Sequence, residues 1–162
     1  MALGDNTLTS ARGNSQRGRN PYMVQGILDF AQAATDKGSA LAAADVIPVL
    51  TIPANTVILG AGIEVPACAA VTSTNTAFDL GIAGGANFVD GFDFDGASVG
   101  DYATMQTTAP VVIGGTADNL DVTLQAMTGT TTAGKVRVLA IVMDVDDLGD
   151  MAADEVDRDT LA

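Results

Sequence analysis

The sequence predicts an all-β fold, an antiparallel β-sandwich or jelly roll with extended N- and C-terminal arms. Three observations carry this: short apolar segments alternate with a period of two, Gly, Asn, Asp and Thr clusters separate them, and helical periodicity is almost absent. Seven or eight such strands are expected, with a small barrel as the alternative closure. The 162 residues suit one domain with a real core. Its expected organisation is a basic N-terminal arm over residues 1–20, a β-sandwich over residues 21–143 and an acidic C-terminal tail over residues 144–162.

Taken in order, residues 1–20 mix Gly, Asn, Ser, Gln and Arg without hydrophobic periodicity. That composition describes an arm ordered only against a partner. Over residues 22–30 apolar side chains crowd together, and Gly26 argues against a helix, so a strand is expected. Residues 31–44 are alanine-rich but broken by Thr35, Asp36, Gly38 and Ser39, which predicts a short helix or a long loop. Residues 46–52 are β-branched enough for a strand, and Pro48 places it at an edge or a bulge because proline cannot donate to the ladder. A turn at Pro53-Ala54-Asn55-Thr56 leads to a second strand over residues 57–65, where Gly60 and Gly62 permit a bend or a close backbone approach.

Over residues 76–82, Phe78, Leu80 and Ile82 share one face and Ala77, Asp79 and Gly81 the other. A loop rich in Gly and Asp follows, then a short apolar run over residues 110–113 and a turn over residues 114–119. Leu120, Val122, Leu124 and Ala126 alternate with Asp121, Thr123, Gln125 and Met127. After turn chemistry over residues 128–134, the last and longest strand is expected over residues 135–145. Lys135 and Arg137 lie on one of its faces and Val136 and Val138 on the other. The pair is expected to form an antiparallel hairpin. No internal repeat of constant period is present.

Charge and composition exclude several classes. The net charge is −13, and it is unevenly placed. Residues 1–20 set Arg12, Arg17 and Arg19 against Asp5, a net of +2, whereas residues 144–162 carry a net of −7. A body this acidic repels phosphate backbones, so nucleic-acid binding is disfavoured outside the basic arm. Apolar runs are interrupted well before the length of a spanning helix, and the first ten residues lack the basic-then-apolar order of a secretory signal. Neither a membrane association nor export by that route is therefore expected. The single Cys68 sits among small residues without a basic neighbour and reads as a buried apolar side chain.

The chain has no histidine, so Ser-His-Asp and Cys-His arrangements cannot be built, and no phosphate loop with its lysine is present. Paired carboxylates remain. Asp90, Asp93 and Asp95 lie in Asp-Gly-Phe-Asp-Phe-Asp-Gly, but a glycosidase also needs aromatic platforms, and the chain has no Trp. No enzymatic activity, cofactor or small-molecule substrate is expected. The same three aspartates are candidate Ca²⁺ ligands, set against the preferred reading of a solvated loop anchored by Phe92 and Phe94. A second acidic group, Asp144, Asp146 and Asp147, reads as part of a self-repelling tail. The arms are expected to form interfaces: Arg12, Arg17 and Arg19 through charge, and Leu148, Met151 and Val156 as apolar anchors, with Leu3, Leu8 and Leu161.

Around the turn Ile52-Pro53-Ala54-Asn55-Thr56, which joins two apolar strands within residues 45–65, the sequence resembles small virion structural proteins of tailed phages, particularly short-tailed phages of cyanobacteria and marine bacteria. The resemblance continues through Phe78-Asp79-Leu80-Gly81, the segment Phe88 to Asp93, and the segments beginning at Asp118 and Lys135, covering roughly residues 45–143. It implies a β-sandwich on the virion, a head decoration or cement protein that binds the major capsid protein and stabilises the head. The protein would sit on the capsid surface, be assembled in the host cytoplasm and form a homo-oligomer. The alternative is a receptor-binding or adhesin module on a tail or head fibre. That role calls for a tyrosine- or tryptophan-rich surface, and Tyr22 and Tyr102 are the only tyrosines.

Overall fold

A computed structural model describes residues 21–67, 74–103, 110–129 and 133–145. Within them the elements run β1 (Tyr22–Asp29), α1 (Phe30–Lys37), β2 (Val46–Ile52), β3 (Thr56–Ala67), β4 (Thr74–Ile82), β5 (Val89–Asp93), β6 (Val111–Ile113), β7 (Asp118–Thr128) and β8 (Lys135–Asp144). No helix among the described residues is long and apolar enough to cross a membrane.

The strands form two antiparallel sheets, ordered β1-β8-β3-β6 and β2-β7-β4-β5. The first strand thus pairs with the last, the second with the seventh, the third with the sixth and the fourth with the fifth. Such an order results when a chain is doubled back on itself and the double ribbon is wound into two layers. Each sheet turns one face inward, and the period of two selects what is buried there. Leu120, Val122 and Leu124 of β7 and Val136, Val138, Ala140 and Val142 of β8 are buried as their alternation predicts. Each large side chain so buried contributes about 1.5–3 kcal/mol relative to an exposed one.

Aromatic packing closes one end of this core. Asp29 ends β1 and caps α1: its Oδ1 accepts from Ala31 N at 3.0 Å and Gln32 N at 3.4 Å, satisfying amides that the first helical turn leaves without partners. Phe30 is thereby turned inward, its ring 5.1 Å from Phe78 and 5.3 Å from Phe94, which are themselves 4.9 Å apart. The helix ends at Gly38, whose φ of 73° is the left-handed conformation that glycine adopts without strain. The alanine-rich region is thus a short helix followed by a loop, and Phe30 belongs to the helix rather than to the preceding strand.

Pro48 lies on β2, an edge strand, and the β2–β7 register shifts between Pro48 and Leu50, so both the edge and the bulge expected of it are present. The register of β3 against β8 shifts between Ile58 and Gly60. Gly26 has a different role. A Cβ there would lie 2.9 Å from Leu50 Cδ2 and 3.1 Å from the Val49 carbonyl oxygen, so glycine lets the edge of the first sheet close onto the edge of the second.

Three expectations are corrected. The short connection over residues 128–134 does not close a hairpin: β7 lies in one sheet and β8 in the other. Leu120, Val122 and Leu124 face Val136, Val138 and Ala140 across the sandwich instead of beside them, because both runs need an apolar partner layer. The Gly- and Asp-rich loop after β4 contains a strand, β5, paired through Phe78 with Phe92 and Leu80 with Val89. Finally, β8 is the last strand but not the longest, since it has 10 residues against 12 in β3.

Candidate interaction surfaces

The two outer faces of the sandwich differ in chemistry. On the second sheet, strand pairing sets Thr51 opposite Asn119, Gly81 opposite Asp121 and Asp79 opposite Thr123, and directly opposite residues share a face. This face is polar and acidic, and the chain covers part of it itself. The turn over residues 83–87 folds back over Gly81, so that Gly84 N donates to Asp121 Oδ2 at 3.3 Å, and Gly91 N of the neighbouring strand β5 donates to Asp79 Oδ1 at 2.8 Å. Gln125 Nε2 donates to the other oxygen of Asp79. Asp79 and Asp121 are consequently buried although they point away from the core. Burial pushes the Asp121 carboxyl above the usual carboxylate range, the Gly84 N–H opposes that shift, and the charge of Asp118 adds to it.

The aspartates considered as Ca²⁺ ligands do not converge. Asp90 is exposed on β5. Asp93 Oδ1 accepts from the backbone nitrogens of Asp95 and Gly96 at 3.1 and 3.3 Å, and Asp95 Oδ2 accepts from Thr76 N at 2.8 Å. Two of the three carboxylates therefore hold the chain after β5, and Phe94 points into the aromatic cluster as an anchor. Among the described residues no three acidic or thiol side chains are grouped to hold a metal ion. Asp144 accepts from the Tyr22 hydroxyl at 2.9 Å, joining the end of β8 to the start of β1. That hydrogen bond, then burial and the carboxylate charge, raises the Tyr22 pKa. Arg12, Arg17, Arg19, Leu148, Met151, Val156, Asp146, Asp147 and Cys68 lie outside the described residues.

The first sheet presents the opposite chemistry, which sequence reading missed. Its register sets Met23 opposite Ile141, Gln25 opposite Leu139, Ile27 opposite Arg137, and Val57 opposite both Met143 and Val112. These side chains alternate with the buried set and so stand on the outer face. Met23 is 65% exposed, Ile27 58%, Ile141 39% and Val112 65%. Beyond the end of β6 the edge of β3 is covered by residues 100–103, where Ala103 N donates to Ile63 O at 2.8 Å and Tyr102 pairs opposite Glu64. Tyr102, 65% exposed, joins the same face. Charge is confined to one end, where Arg137 Nη1 lies 2.6 Å from Glu64 Oε2 and Lys135 Nζ 2.9 Å from Asp29 Oδ2. The signal was present in Met23 and Ile27, four positions apart on β1, and in Leu139, Ile141 and Met143, at every second position of β8. It is readable only once those strands are known to be neighbours.

No protein-family model and no curated protein sequence matches the chain. Solved structures do. A chain in the capsid of Ralstonia phage GP4 superposes with a TM-score of 0.58 at 15% identity, covering 77% of this chain and 84% of that one. A chain of the cyanophage Pam1 capsid asymmetric unit gives 0.57 at 20% identity, covering 79% of this chain and 87% of that one. At such identities the likeness is one of fold.

Proposed function

We propose that the chain is a structural protein of a phage virion, a decoration or cement protein that sits on the capsid surface, binds the major capsid protein and stabilises the head. The observation that carries this reading is the fold likeness to chains of two phage capsids, which spans most of each partner. The strand order, first with last and second with seventh, supports a double-sheet jelly roll, a fold used in capsid shells. An exposed apolar sheet face supports a role in contact rather than in chemistry, since large apolar patches mark interaction sites. The two buried carboxylates, Asp79 and Asp121, are each engaged by donors of the chain itself, Asp121 by Gly84 N and Asp79 by Gly91 N and Gln125 Nε2. The receptor-binding alternative draws on Tyr102 alone, because the Tyr22 hydroxyl is engaged by Asp144.

The test is reconstitution. Purified protein added to expanded capsids lacking it should bind at saturable occupancy and raise the temperature at which they release their contents. Absence of binding, or binding without a change in capsid stability, would remove the proposal.

A further inference from the structure

We infer that the outer face of the first sheet is where two copies of this chain associate, independently of any capsid. Its apolar side chains, Met23, Ile27, Val57, Val112, Ile141 and Met143, leave on the order of 600 Å² of apolar surface when Tyr102 is included. Burial of the whole face would match the per-partner area of the smaller specific interfaces, with Ile27 and Tyr102, beside Arg137 and Glu64, in its rim and the remaining side chains at its centre.

Charge selects the second copy as the occupant. Among the described residues the cations are Lys37, Lys135 and Arg137, and two of these stand on this face, each paired there with Asp29 or Glu64. The face is therefore neutral. The rest of the described body sets ten carboxylates against Lys37 alone. Among the described residues, two copies approaching through another surface would bring like charges together, whereas this face lets them meet without that penalty. A cationic partner would instead be drawn to the acidic surfaces.

The layout within the face suits a two-fold contact. The rows holding Met23, Ile141, Val57, Met143 and Val112 carry no charge, and both ion pairs lie toward the opposite end. Overlapping the uncharged halves of two copies about a two-fold axis places apolar rows at the centre and the ion pairs at both margins, the usual arrangement of a dry centre and a polar rim.

Sedimentation velocity of the full chain alone, over a range of concentrations, tests this. The wild type should associate reversibly, and more strongly at physiological salt than at low salt, because salt screens the repulsion between the acidic bodies. Ile141→Glu and, separately, Val112→Lys should each raise the dissociation constant at least about tenfold by burying an unpaired charge. Thr51→Glu, on the other sheet, should not. Circular dichroism establishes that each variant is folded, and two variants on different strands guard against one that is not. A wild type that stays monomeric overturns the inference and leaves the face to the chain's own residues 1–20 or to a different protein. Association that survives both substitutions overturns it too. Capsid occupancy is measured separately, so self-association can fail while the capsid role stands, and the reverse.

Discussion

At Gly81 one added methyl group should damage the fold severely. An ideal Cβ there would lie 2.1 Å from the Gly85 carbonyl oxygen, 2.5 Å from the Gly85 carbonyl carbon and 2.8 Å from Asn87 N. Contacts between such atoms normally exceed about 3.2 Å, so in Gly81→Ala the turn over residues 83–87 must retreat by about 1 Å. That turn is held by Gly85 N to Ile82 O at 3.0 Å, Ile82 N to Asn87 Oδ1 at 2.9 Å and Gly84 N to Asp121 Oδ2 at 3.3 Å. The last of these has no slack, and its loss leaves the buried Asp121 carboxylate without a donor that offsets its burial. Overpacking costs about 1–3 kcal/mol, and a lost hydrogen bond to a charged group adds about 1.5–3 kcal/mol. A total of about 2.5–6 kcal/mol lowers the melting temperature by about 5–24 °C for a domain of this size. Thermal melting by circular dichroism measures it, and hydrogen exchange should report faster exchange at Gly84 and Gly91. Gly114→Ala is the control, since nothing lies within 4 Å of its Cβ position and its φ is not positive. A Gly81→Ala protein that melts within 2 °C of the wild type would refute the close approach on which this rests.

Phe78→Ala should destabilise the fold by about 3–5 kcal/mol, because it removes the ring that touches both Phe30 and Phe94 in a fully buried site; chemical denaturation measures this, and a loss under 1 kcal/mol would contradict the packing. Asp121→Asn should melt above the wild type at pH 7, and the difference should shrink as pH falls. The folded pKa of Asp121 is raised, so its ionised form opposes folding, and protonation relieves this progressively toward the unfolded value near 3.9. A difference that is constant from pH 8 to pH 4 would count against it. Asp29 and Asp45 act in the opposite sense. Lys135 and Lys37 lead the causes that lower their pKa values, so their contribution is present above the unfolded value and is lost as pH falls through the folded ones. Asp45→Asn should accordingly narrow the loss of melting temperature between pH 5 and pH 2. Deleting residues 1–20 should leave the melting temperature of the sandwich within about 2 °C while lowering capsid occupancy; unchanged occupancy would make the arm passive.

The sequence by itself determined which segments extend and which of their side chains turn inward. In β7 and β8 the alternation of Leu120, Val122 and Leu124, and of Val136 and Val138, is a local property, since successive side chains of a strand point to opposite sides whatever lies beside it. Pro48 likewise announced an edge or a bulge by its missing donor, and β2 has both. Fold class and strand positions followed from such signals, with Val89–Asp93 missed because Asp90, Gly91 and Asp93 carry the composition of a turn. The candidate surface was not legible. It depends on β1 lying beside β8 across more than a hundred residues of chain, which no local pattern encodes. The burial of Asp121 depends equally on a turn folding back over its sheet, and that of Asp79 on β5 lying beside β4. Only the tertiary structure decided whether residues 128–134 close a hairpin or cross between layers. Neighbouring strands are about 4.8 Å apart and stacked sheets about 10 Å, and a few residues of Gly and Thr span either distance. The choice fell to the whole set of inward faces, which are buried together only when β7 and β8 stand in opposite sheets.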